Sequence, residues 1–278
     1  MRTRSVGVAV LAAMVTMAWA QAPTPQGEVK GDAWVHTPES LRTSAELAAV
    51  VLPARVTGGA PYTGKLKDAP AGNGQRVAVV LFLHGSSGLG LKAIGEWQQW
   101  LATMGIASVA PDSFTLPGHV TYKSPIDKAS YERIHALRAS EIRPALEAIR
   151  RQPWADPARL ILAGTSEGAV PVARHEGREF AARMLYAWSC EPNYFVEAPR
   201  NAFEADKPVL NVISSTDPFF SRSNAWLGNA DAQGHCGAAL KDNPRAAVVL
   251  VPGAPHTLLN LPAARHATAG FLAPYAAP

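Results

Sequence analysis

The sequence predicts a single doubly wound α/β domain, in which a mostly parallel sheet carries helices on both faces. Short apolar runs alternate along the chain with segments that have helical features. The runs are continuously hydrophobic, which is typical of strands that are buried on both faces. Of the 278 residues, 47% are hydrophobic and 17% are charged, so the chain can form one large core. No internal repeat or second domain is evident.

The first twenty residues have the pattern of a secretory signal peptide. Arg2 and Arg4 precede an uncharged run from Val6 to Ala20, which ends in Ala-Trp-Ala. This run is shorter than the ~20 residues of a membrane-spanning helix, and no other segment is apolar enough to span a bilayer. An uncleaved anchor is the alternative. Because these twenty residues contain no Arg-Arg pair, we expect general secretion, with a mature periplasmic or secreted protein that starts at Gln21.

The charge balance gives little support to a nucleic-acid partner. Lys plus Arg number 26 and Asp plus Glu 22, a formal net charge of +4, and Arg2 and Arg4 lie in the predicted signal peptide. The chain contains no basic run and no interleaving of basic and aromatic residues of the kind that follows a phosphate backbone. We therefore expect no nucleic-acid partner.

Residues 21–75 are predicted to form an N-terminal arm with one or two early strands, ahead of a catalytic domain at 76–278. The arm contains one helical candidate, which begins at Thr37-Pro38-Glu39, where a capping hydroxyl precedes a proline in the first turn.

From residue 76 onward, strand and helix candidates alternate. In order they are a strand at Val77–Leu83, a helix at Ala93–Met104 that stops at Gly105, a strand at Ile106–Ala110, a helical stretch at Ala129–Arg151 that Pro144 kinks or breaks, a strand at Arg159–Ala163, a helix from Gly168, strands at Met184–Trp188 and Pro208–Ser214, a helix near Ala238, a strand at Ala246–Val251 and a last helix from Pro262.

The third apolar run of this series ends in Gly164-Thr165-Ser166-Glu167-Gly168. A G-x-S-x-G between a strand and a helix is the pattern of a nucleophile elbow. Glycines are needed on both sides because the turn leaves no room for side chains, while the serine is held in a strained conformation. Ser166 is therefore the candidate nucleophile.

A serine nucleophile needs a base that is oriented by an acid, and in this architecture the chain order is serine, acid, histidine. Asp217 follows the strand that ends at Ser214, and His256 follows the last predicted strand. Glu191 is the alternative acid, because it follows the neighbouring strand. The alternative bases, His235 and His266, lie before the last strand and inside the last helix.

The oxyanion of such a reaction needs two backbone N–H donors. One is predicted at Glu167, directly after the nucleophile, and the other at Ser86, or Gly85, in the loop after the first strand of the series. His84 is expected to hold that loop by hydrogen bonding. The Glu167 side chain either contacts substrate or has no role beyond its amide, and Asp112 is expected to brace a turn.

Together these motifs resemble the α/β-hydrolase fold superfamily, and most closely its dienelactone hydrolase family, over about Val77 to Leu272. The matching segments are Leu83-His84-Gly85, Ala110-Pro111-Asp112-Ser113-Phe114, Gly164-Thr165-Ser166-Glu167-Gly168, Ser215-Thr216-Asp217-Pro218 and Pro255-His256. The resemblance implies a triad of Ser166, Asp217 and His256. The chain departs from the founding dienelactone enzymes in having a serine nucleophile where they use cysteine and in having Ala169 where they often have glycine. The lactone substrate therefore does not carry over.

Two cysteines, Cys190 and Cys236, flank the acid loop. Export would place them where disulfides persist, so a single bridge is predicted, with two buried free thiols as the alternative.

Trp188, Phe219 and Phe220 are predicted nearest the site, with His84 at its edge. Other aromatic residues could line the pocket or belong to the core, namely Tyr122, Tyr131, Tyr194, Phe195 and Trp226. Segments 113–130 and 218–237 are candidates for a small lid.

These patterns together predict an exported serine hydrolase that cleaves carboxylic esters or related acyl compounds of small size. A peptidase or perhydrolase would use the same triad, and a binding protein that retains the fold is the non-catalytic alternative. The sequence implies no metal and no organic cofactor, and it makes no prediction of the oligomeric state.

Overall fold

A computed structural model describes residues 27–276, so the predicted signal peptide lies outside the described residues. The strands are β1 (Val29–Lys30), β2 (Ala49–Leu52), β3 (Tyr62–Lys65), β4 (Val77–Leu83), β5 (Ala107–Ala110), β6 (Thr121–Tyr122), β7 (Ala155–Thr165), β8 (Ala182–Tyr186), β9 (Val209–Ser214) and β10 (Ala246–Val251). The helices are α1 (Pro38–Glu46), α2 (Ala54–Thr57), α3 (Lys92–Thr103), α4 (Lys128–Ser140), α5 (Ile142–Arg150), α6 (Ala169–Arg174), α7 (Gly237–Leu240) and α8 (Pro262–Ala276).

Eight strands form the main sheet in the order β10-β9-β8-β7-β4-β5-β2-β3. Pairs from β10 through β5 are parallel, whereas β2 pairs antiparallel with both β5 and β3. The strands within residues 49–65 therefore belong to the same sheet as the later strands. The predicted fold class, a doubly wound and mostly parallel sheet, is confirmed.

Strand β4 shows how the sheet is buried on both faces. Its seven residues are all buried, and they alternate between two core clusters. Val77, Val79, Leu81 and Leu83 pack on one face with residues of α1, α4, α5 and α6. Ala78, Val80 and Phe82 pack on the other with residues of α3 and α8. Burial on both faces explains the continuous hydrophobicity of this strand.

The sequence signals for one helix start and for one helix break are also confirmed. Thr37 caps α1 by accepting a hydrogen bond from the Ser40 amide at 3.1 Å, with Pro38 in the first turn. The helical stretch predicted at 129–151 divides into α4 and α5. The break precedes Pro144 because the proline ring would clash with the carbonyl of Ser140, four residues earlier.

Helix α4 buries a histidine that has no hydrogen-bond partner among the described residues. The His135 ring is 2% exposed and lies edge-on to Phe195, with ring centroids 4.8 Å apart. Burial lowers the pKa of His135 to about 3, and the nearby Arg174 guanidinium adds to this shift. The ring is therefore neutral in the folded protein at neutral and mildly acidic pH.

We expect His135→Phe to reduce the loss of stability in acid. In the unfolded chain the imidazole takes up a proton below pH ~6.5, whereas in the folded chain it does so only near pH 3. The wild type should therefore lose up to about 1.4 kcal/mol of unfolding free energy per pH unit between these values because of this group. Denaturant unfolding at pH 7, 6, 5 and 4 measures the slope.

The exposed His266 provides the matched control for this substitution. His266→Phe should leave the acid slope as it is in the wild type. If His135→Phe left the pH dependence of the unfolding free energy unchanged, the assignment of a neutral buried ring to His135 would be contradicted. Since His84 is also buried with a lowered pKa, part of the slope should persist in the variant.

Candidate active site

The sheet topology brings two loops together at the carboxyl ends of β4 and β7. These strands are neighbours and run parallel, yet the chain goes from β4 to β5 on one side before it crosses back to β7 on the other. Such a reversal opens a crevice outside the strand ends. The His84–Gly88 loop and the Ser166–Gly168 turn meet there, and a Cβ on Gly85 would lie 3.2 Å from the Cβ of Ser166.

Ser166 lies at the apex of a strained turn between β7 and α6. Its φ of 53° is left-handed, a conformation that costs a residue other than glycine about 1–3 kcal/mol. A Cβ on Gly164 would overlap the backbone of Gly168, and a Cβ on Gly168 would overlap the carbonyl oxygens of Leu83 and His84. The two glycines of the motif therefore permit the close approach of turn, strand and helix that places Ser166 at the crevice.

A continuous hydrogen-bonded chain joins the three predicted residues. Ser166 Oγ lies 2.8 Å from His256 Nε2, and His256 Nδ1 lies 2.8 Å from Asp217 Oδ2. Because a carboxylate oxygen can only accept, Nδ1 carries the proton and Nε2 of the neutral ring is free to accept from the serine hydroxyl. The order along the chain is the one expected from the sequence, with Asp217 after β9 and His256 after β10.

Asp217 is held in place by its own loop. Its side chain is fully buried, and its Oδ1 accepts hydrogen bonds from the amides of Phe219 at 2.9 Å and Phe220 at 3.1 Å. These bonds leave Oδ2 directed at the imidazole. The Phe219 ring in turn lies against His256, with centroids 4.6 Å apart, so the imidazole is confined by packing as well as by hydrogen bonding.

The alternative acid and bases lie elsewhere. Glu191 accepts hydrogen bonds from the amides of Gln233 at 2.7 Å and Gly234 at 2.9 Å, so it braces that loop. His235 Nδ1 accepts from the Gly237 amide, and His266 lies on the exposed side of α8. Asp112 caps the turn that follows β5 by accepting from the Phe114 amide, as predicted.

His84 is buried behind the loop that it begins, and it does not line the crevice. Its Nδ1 donates to the Gly85 carbonyl at 2.7 Å, and its Nε2 accepts from the Ser113 amide at 3.2 Å. Burial lowers the pKa of His84 to about 3, with the Arg138 guanidinium adding to the shift. The neutral ring can therefore donate on one side and accept on the other, which ties the loop after β4 to the loop after β5.

The side chain of Glu167 forms a buried ion pair. Arg138 Nε donates to Glu167 Oε1 at 2.8 Å, with side-chain exposures of 3% and 0%, and the Tyr122 hydroxyl donates to Oε2 at 2.5 Å. Burial raises the pKa of Tyr122 well above its usual value, and the adjacent carboxylate raises it further. The carboxylate next to the nucleophile is thus fully engaged by the protein.

A cavity of about 460 Å³ opens in front of Ser166. Its lining combines small polar residues with aromatic rings, namely Gly85, Ser86, Ser87, Gly88, Leu91, Tyr122, Ser124, Thr165, Ser166, Tyr194, Phe195, Phe219, Phe220, His256 and Thr257. Phe219 and Phe220 are where the sequence places them. Both lid candidates, 113–130 and 218–237, contribute lining residues.

Trp188 was predicted in this lining and lies beneath it. The indole is fully buried and packs edge-on to Phe220, with centroids 4.9 Å apart. The chain leaves β8 through Ala187, whose φ of 51° is left-handed, and this turn carries Trp188 under the wall. Tyr131 is likewise fully buried, and neither it nor Trp226 is a lining residue.

The predicted bridge between Cys190 and Cys236 is present. It joins the segment after β8 to the start of α7. The buried Asn211 of β9 reinforces the connection, since it accepts from the Cys236 amide at 3.0 Å and donates to the Trp188 carbonyl at 3.0 Å. The aromatic wall is thereby fastened to the sheet.

Sequence reasoning missed Arg138 and Ser124. Arg138 is separated from Glu167 by 29 residues, and only its position on the buried face of α4 with Ile134 and Tyr131 could have drawn attention to it. Nothing in the sequence singles out Ser124. Within residues 27–276, no group of three or more His, Cys, Asp or Glu side chains has the arrangement of a metal site.

Comparison with known proteins defines the fold. No protein-family model matches the chain, and no match was found among curated proteins. Many solved structures are similar. One is a Klebsiella pneumoniae protein provisionally assigned as a dienelactone hydrolase, with a TM-score of 0.53 and 16% identity over 83% of this chain and 98% of that one.

Two esterase structures are similar over comparable lengths. Esterase PE8 has a TM-score of 0.50 and 19% identity over 74% of this chain and 96% of its own. The esterase domain of a Rhodothermus marinus protein has a TM-score of 0.50 and 17% identity over 82% of this chain and 98% of its own. At these identities the likeness is one of fold, and this chain has the α/β-hydrolase fold that its sequence motifs indicate.

We expect Gly168→Ala to destabilise the protein by about 1–3 kcal/mol, because the added methyl group meets the backbone of β4 and cannot be accommodated by a side-chain movement. Denaturant unfolding measures the change. Gly95→Ala is the matched control, since nothing lies within 4 Å of a Cβ there and alanine favours the helix by up to about 1 kcal/mol. If Gly168→Ala and Gly95→Ala had the same free energy of unfolding, the close approach of Gly168 to the carbonyl oxygens of Leu83 and His84 would be contradicted.

Proposed function

We propose that this protein is an exported serine hydrolase that cleaves carboxylic esters through an acyl-enzyme on Ser166. The observation that carries the proposal is the continuous chain from Ser166 through His256 to Asp217, with both links at 2.8 Å. The chain opens onto a cavity large enough for a small ester. The fold, shared with structures of esterases, is in keeping with this activity.

In the first half-reaction, Ser166 Oγ attacks the ester carbonyl while His256 Nε2 accepts its proton. The resulting imidazolium is stabilised by the carboxylate of Asp217, which the Phe219 and Phe220 amides hold in position. Collapse of the tetrahedral intermediate breaks the bond to the leaving oxygen, and His256 returns the proton to the departing alcohol. The acyl group then remains on Ser166.

In the second half-reaction, water replaces the alcohol. His256 takes a proton from the attacking water, the second tetrahedral intermediate forms, and its collapse releases the carboxylic acid with the proton returned to Ser166. Each step uses the same three side chains in the same positions. The protein's own residues therefore account for the complete hydrolysis of an ester.

The backbone amides of Glu167 and Ser86 are the proposed donors to the oxyanion. The Gly85 carbonyl accepts from His84 Nδ1 at 2.7 Å and from the Gly88 amide at 3.1 Å, so its direction is fixed. In a trans peptide the following N–H points the opposite way. The Ser86 amide is thus turned away from the His84 side, and Ser86 lines the cavity in front of Ser166.

Export is supported by two independent features. Residues 1–20 have the composition of a signal peptide, and the Cys190–Cys236 disulfide belongs to an oxidising compartment. None of the helices in residues 27–276 combines the length and apolarity needed to cross a bilayer. We propose a periplasmic or secreted location for the mature chain.

We expect a fluorophosphonate probe to label the wild type, and Ser166→Ala to abolish the labelling. Hydrolysis of p-nitrophenyl acetate should fall by a factor on the order of 10⁴ or more, because Ser166 is the hydroxyl that His256 Nε2 contacts. Ser130→Ala, in the first turn of α4 and outside the cavity lining, is the matched control and should label like the wild type. A folded wild type that neither labels nor turns over any ester in a chain-length series would refute the proposal.

The two candidate acids can be separated by matched carboxylate-to-amide substitutions. Asp217→Asn should lower kcat by about 10³–10⁴-fold, because the amide cannot hold His256 in the tautomer that accepts from Ser166. Glu191→Gln should keep kcat within a few-fold of the wild type, since Glu191 contacts the amides of Gln233 and Gly234 and does not contact His256. Steady-state kinetics on p-nitrophenyl acetate measures both, and the reverse ranking would remove Asp217 from the triad.

A further inference from the structure

One wall of the cavity carries polar groups that ester hydrolysis does not use. Tyr122, Ser124 and Tyr194 line the same cavity as Ser166. Two of them come from the segment after β5, and the third comes from the segment after β8. The hydrogen-bonding role of each hydroxyl is restricted by buried neighbours behind the wall.

Tyr122 can act only as an acceptor toward the cavity. Its single hydroxyl proton is donated to Glu167 Oε2, and Arg138 holds the other oxygen of that carboxylate at 2.8 Å. The buried, paired carboxylate keeps the proton in this bond. Tyr122 lines the cavity, and its oxygen has only lone pairs left for a further partner. Donation to a charged group makes that oxygen a better acceptor.

Ser124 has the opposite restriction. The Ile126 amide donates to the Tyr131 hydroxyl at 3.2 Å, and Tyr131 in turn donates to Ser124 Oγ at 2.9 Å. The hydroxyl proton of Ser124 is left to point elsewhere. Burial raises the pKa of Tyr194, and the Ser124 hydroxyl opposes this rise. Ser124 and Tyr194 both line the cavity, so the hydroxyl of either residue is a candidate donor there.

The cavity lining contains no Lys, Arg, Asp or Glu among the described residues. A carboxylate on the substrate would lose its hydration there without gaining an ionic partner, which is costly. The remaining wall is aromatic, with Phe195 and Phe220 in contact at a centroid distance of 5.3 Å. The lining therefore matches an uncharged group with an apolar body and a polar end.

We propose that this wall recognises a neutral hydroxyl group on the substrate, and that the substrates are esters of hydroxylated aromatic acids. Tyr122 accepts the proton of that hydroxyl, while Ser124 or Tyr194 donates to its oxygen. A substrate hydroxyl can donate to Tyr122 and also accept from Ser124 or Tyr194. An ether can only accept, and a hydrogen atom in its place can do neither. This inference rests on the proposed ester hydrolysis and specifies its substrate.

The wild-type enzyme provides the first test, through a series of methyl esters of equal chain length. The series consists of phenylpropionate, its meta-hydroxyl and para-hydroxyl derivatives, and the matching methoxy and carboxylate derivatives. We expect kcat/KM for at least one hydroxyl derivative to exceed that for the unsubstituted and methoxy esters by about tenfold. The carboxylate derivatives should react more slowly than the unsubstituted ester. Equal values for the hydroxyl, methoxy and unsubstituted esters would overturn the inference.

The second test measures the same selectivity in variants, as the ratio of kcat/KM for the hydroxyl ester to that for the unsubstituted ester. Tyr122→Phe should bring the ratio close to one. Because this change also leaves Glu167 with one donor fewer, Ser124→Ala serves as a second variant that keeps both partners of Glu167 and should lower the ratio several-fold. Tyr62→Phe makes the same chemical change on β3 and should keep the wild-type ratio. Thermal melts verify folding.

The outcomes separate this inference from the proposed function. Labelling by fluorophosphonate and turnover of p-nitrophenyl acetate, together with a ratio near one in the wild type, would leave the hydrolase intact and overturn the hydroxyl site. A ratio that both Tyr122→Phe and Ser124→Ala leave at the wild-type value would also overturn it. Absence of labelling and of all turnover would overturn the proposed function, and the hydroxyl site with it.

Discussion

The close approach of the turn at Ser166 to the ends of β4 and β7 is the constraint on which the site depends. Ser166 is held at a φ of 53°, and no side chain fits at Gly164 or Gly168. Such strain persists only where the surroundings over-determine the backbone. Here the fully buried strand β4 and the six buried residues that end β7 provide those surroundings, so the rigidity of the sheet is transmitted to the nucleophile.

Buried charge near the nucleophile is compensated locally. The Glu167 carboxylate is paired with Arg138, and Glu141 lies in a separate buried group with His36 and Ser113. Buried pairs of this kind add little net stability, because desolvation offsets their attraction, but removing one partner is strongly destabilising. Their effect in this protein is one of position: they link α4 to the elbow and to the loops that surround the cavity.

The sequence was sufficient for those parts of the site that lie at strand ends. Ser166, Asp217 and His256 each follow an apolar run, and parallel strands bring their carboxyl ends to one edge, so chain order alone predicted their meeting. The wall of the cavity could not be read in this way. Whether Trp188 faces the cavity depends on one left-handed residue, Ala187, and alanine carries no signal for that conformation.

Long-range polar contacts were also beyond the sequence. The pairing of Arg138 with Glu167 depends on the angle at which α4 packs on the sheet, and the sequence gives helix periodicity without that angle. The sequence also does not predict the hydrogen bonds that run from the Ile126 amide to the Tyr131 hydroxyl and from that hydroxyl to Ser124 Oγ. They combine a main-chain donor with two side chains. The predicted roles of His84 and Asp112 were local, and those local contacts are present.

The disulfide connects the proposed location of the protein to the shape of its cavity. Cys190 begins the segment that carries Tyr194 and Phe195, and Cys236 is tied through Asn211 to the carbonyl of Trp188, on which Phe220 packs. A cross-link that closes a loop of this length acts mainly by restricting the unfolded chain. In addition, it fixes the aromatic wall relative to β9, the strand that leads to Asp217. Export to an oxidising compartment, as proposed above, would maintain this cross-link.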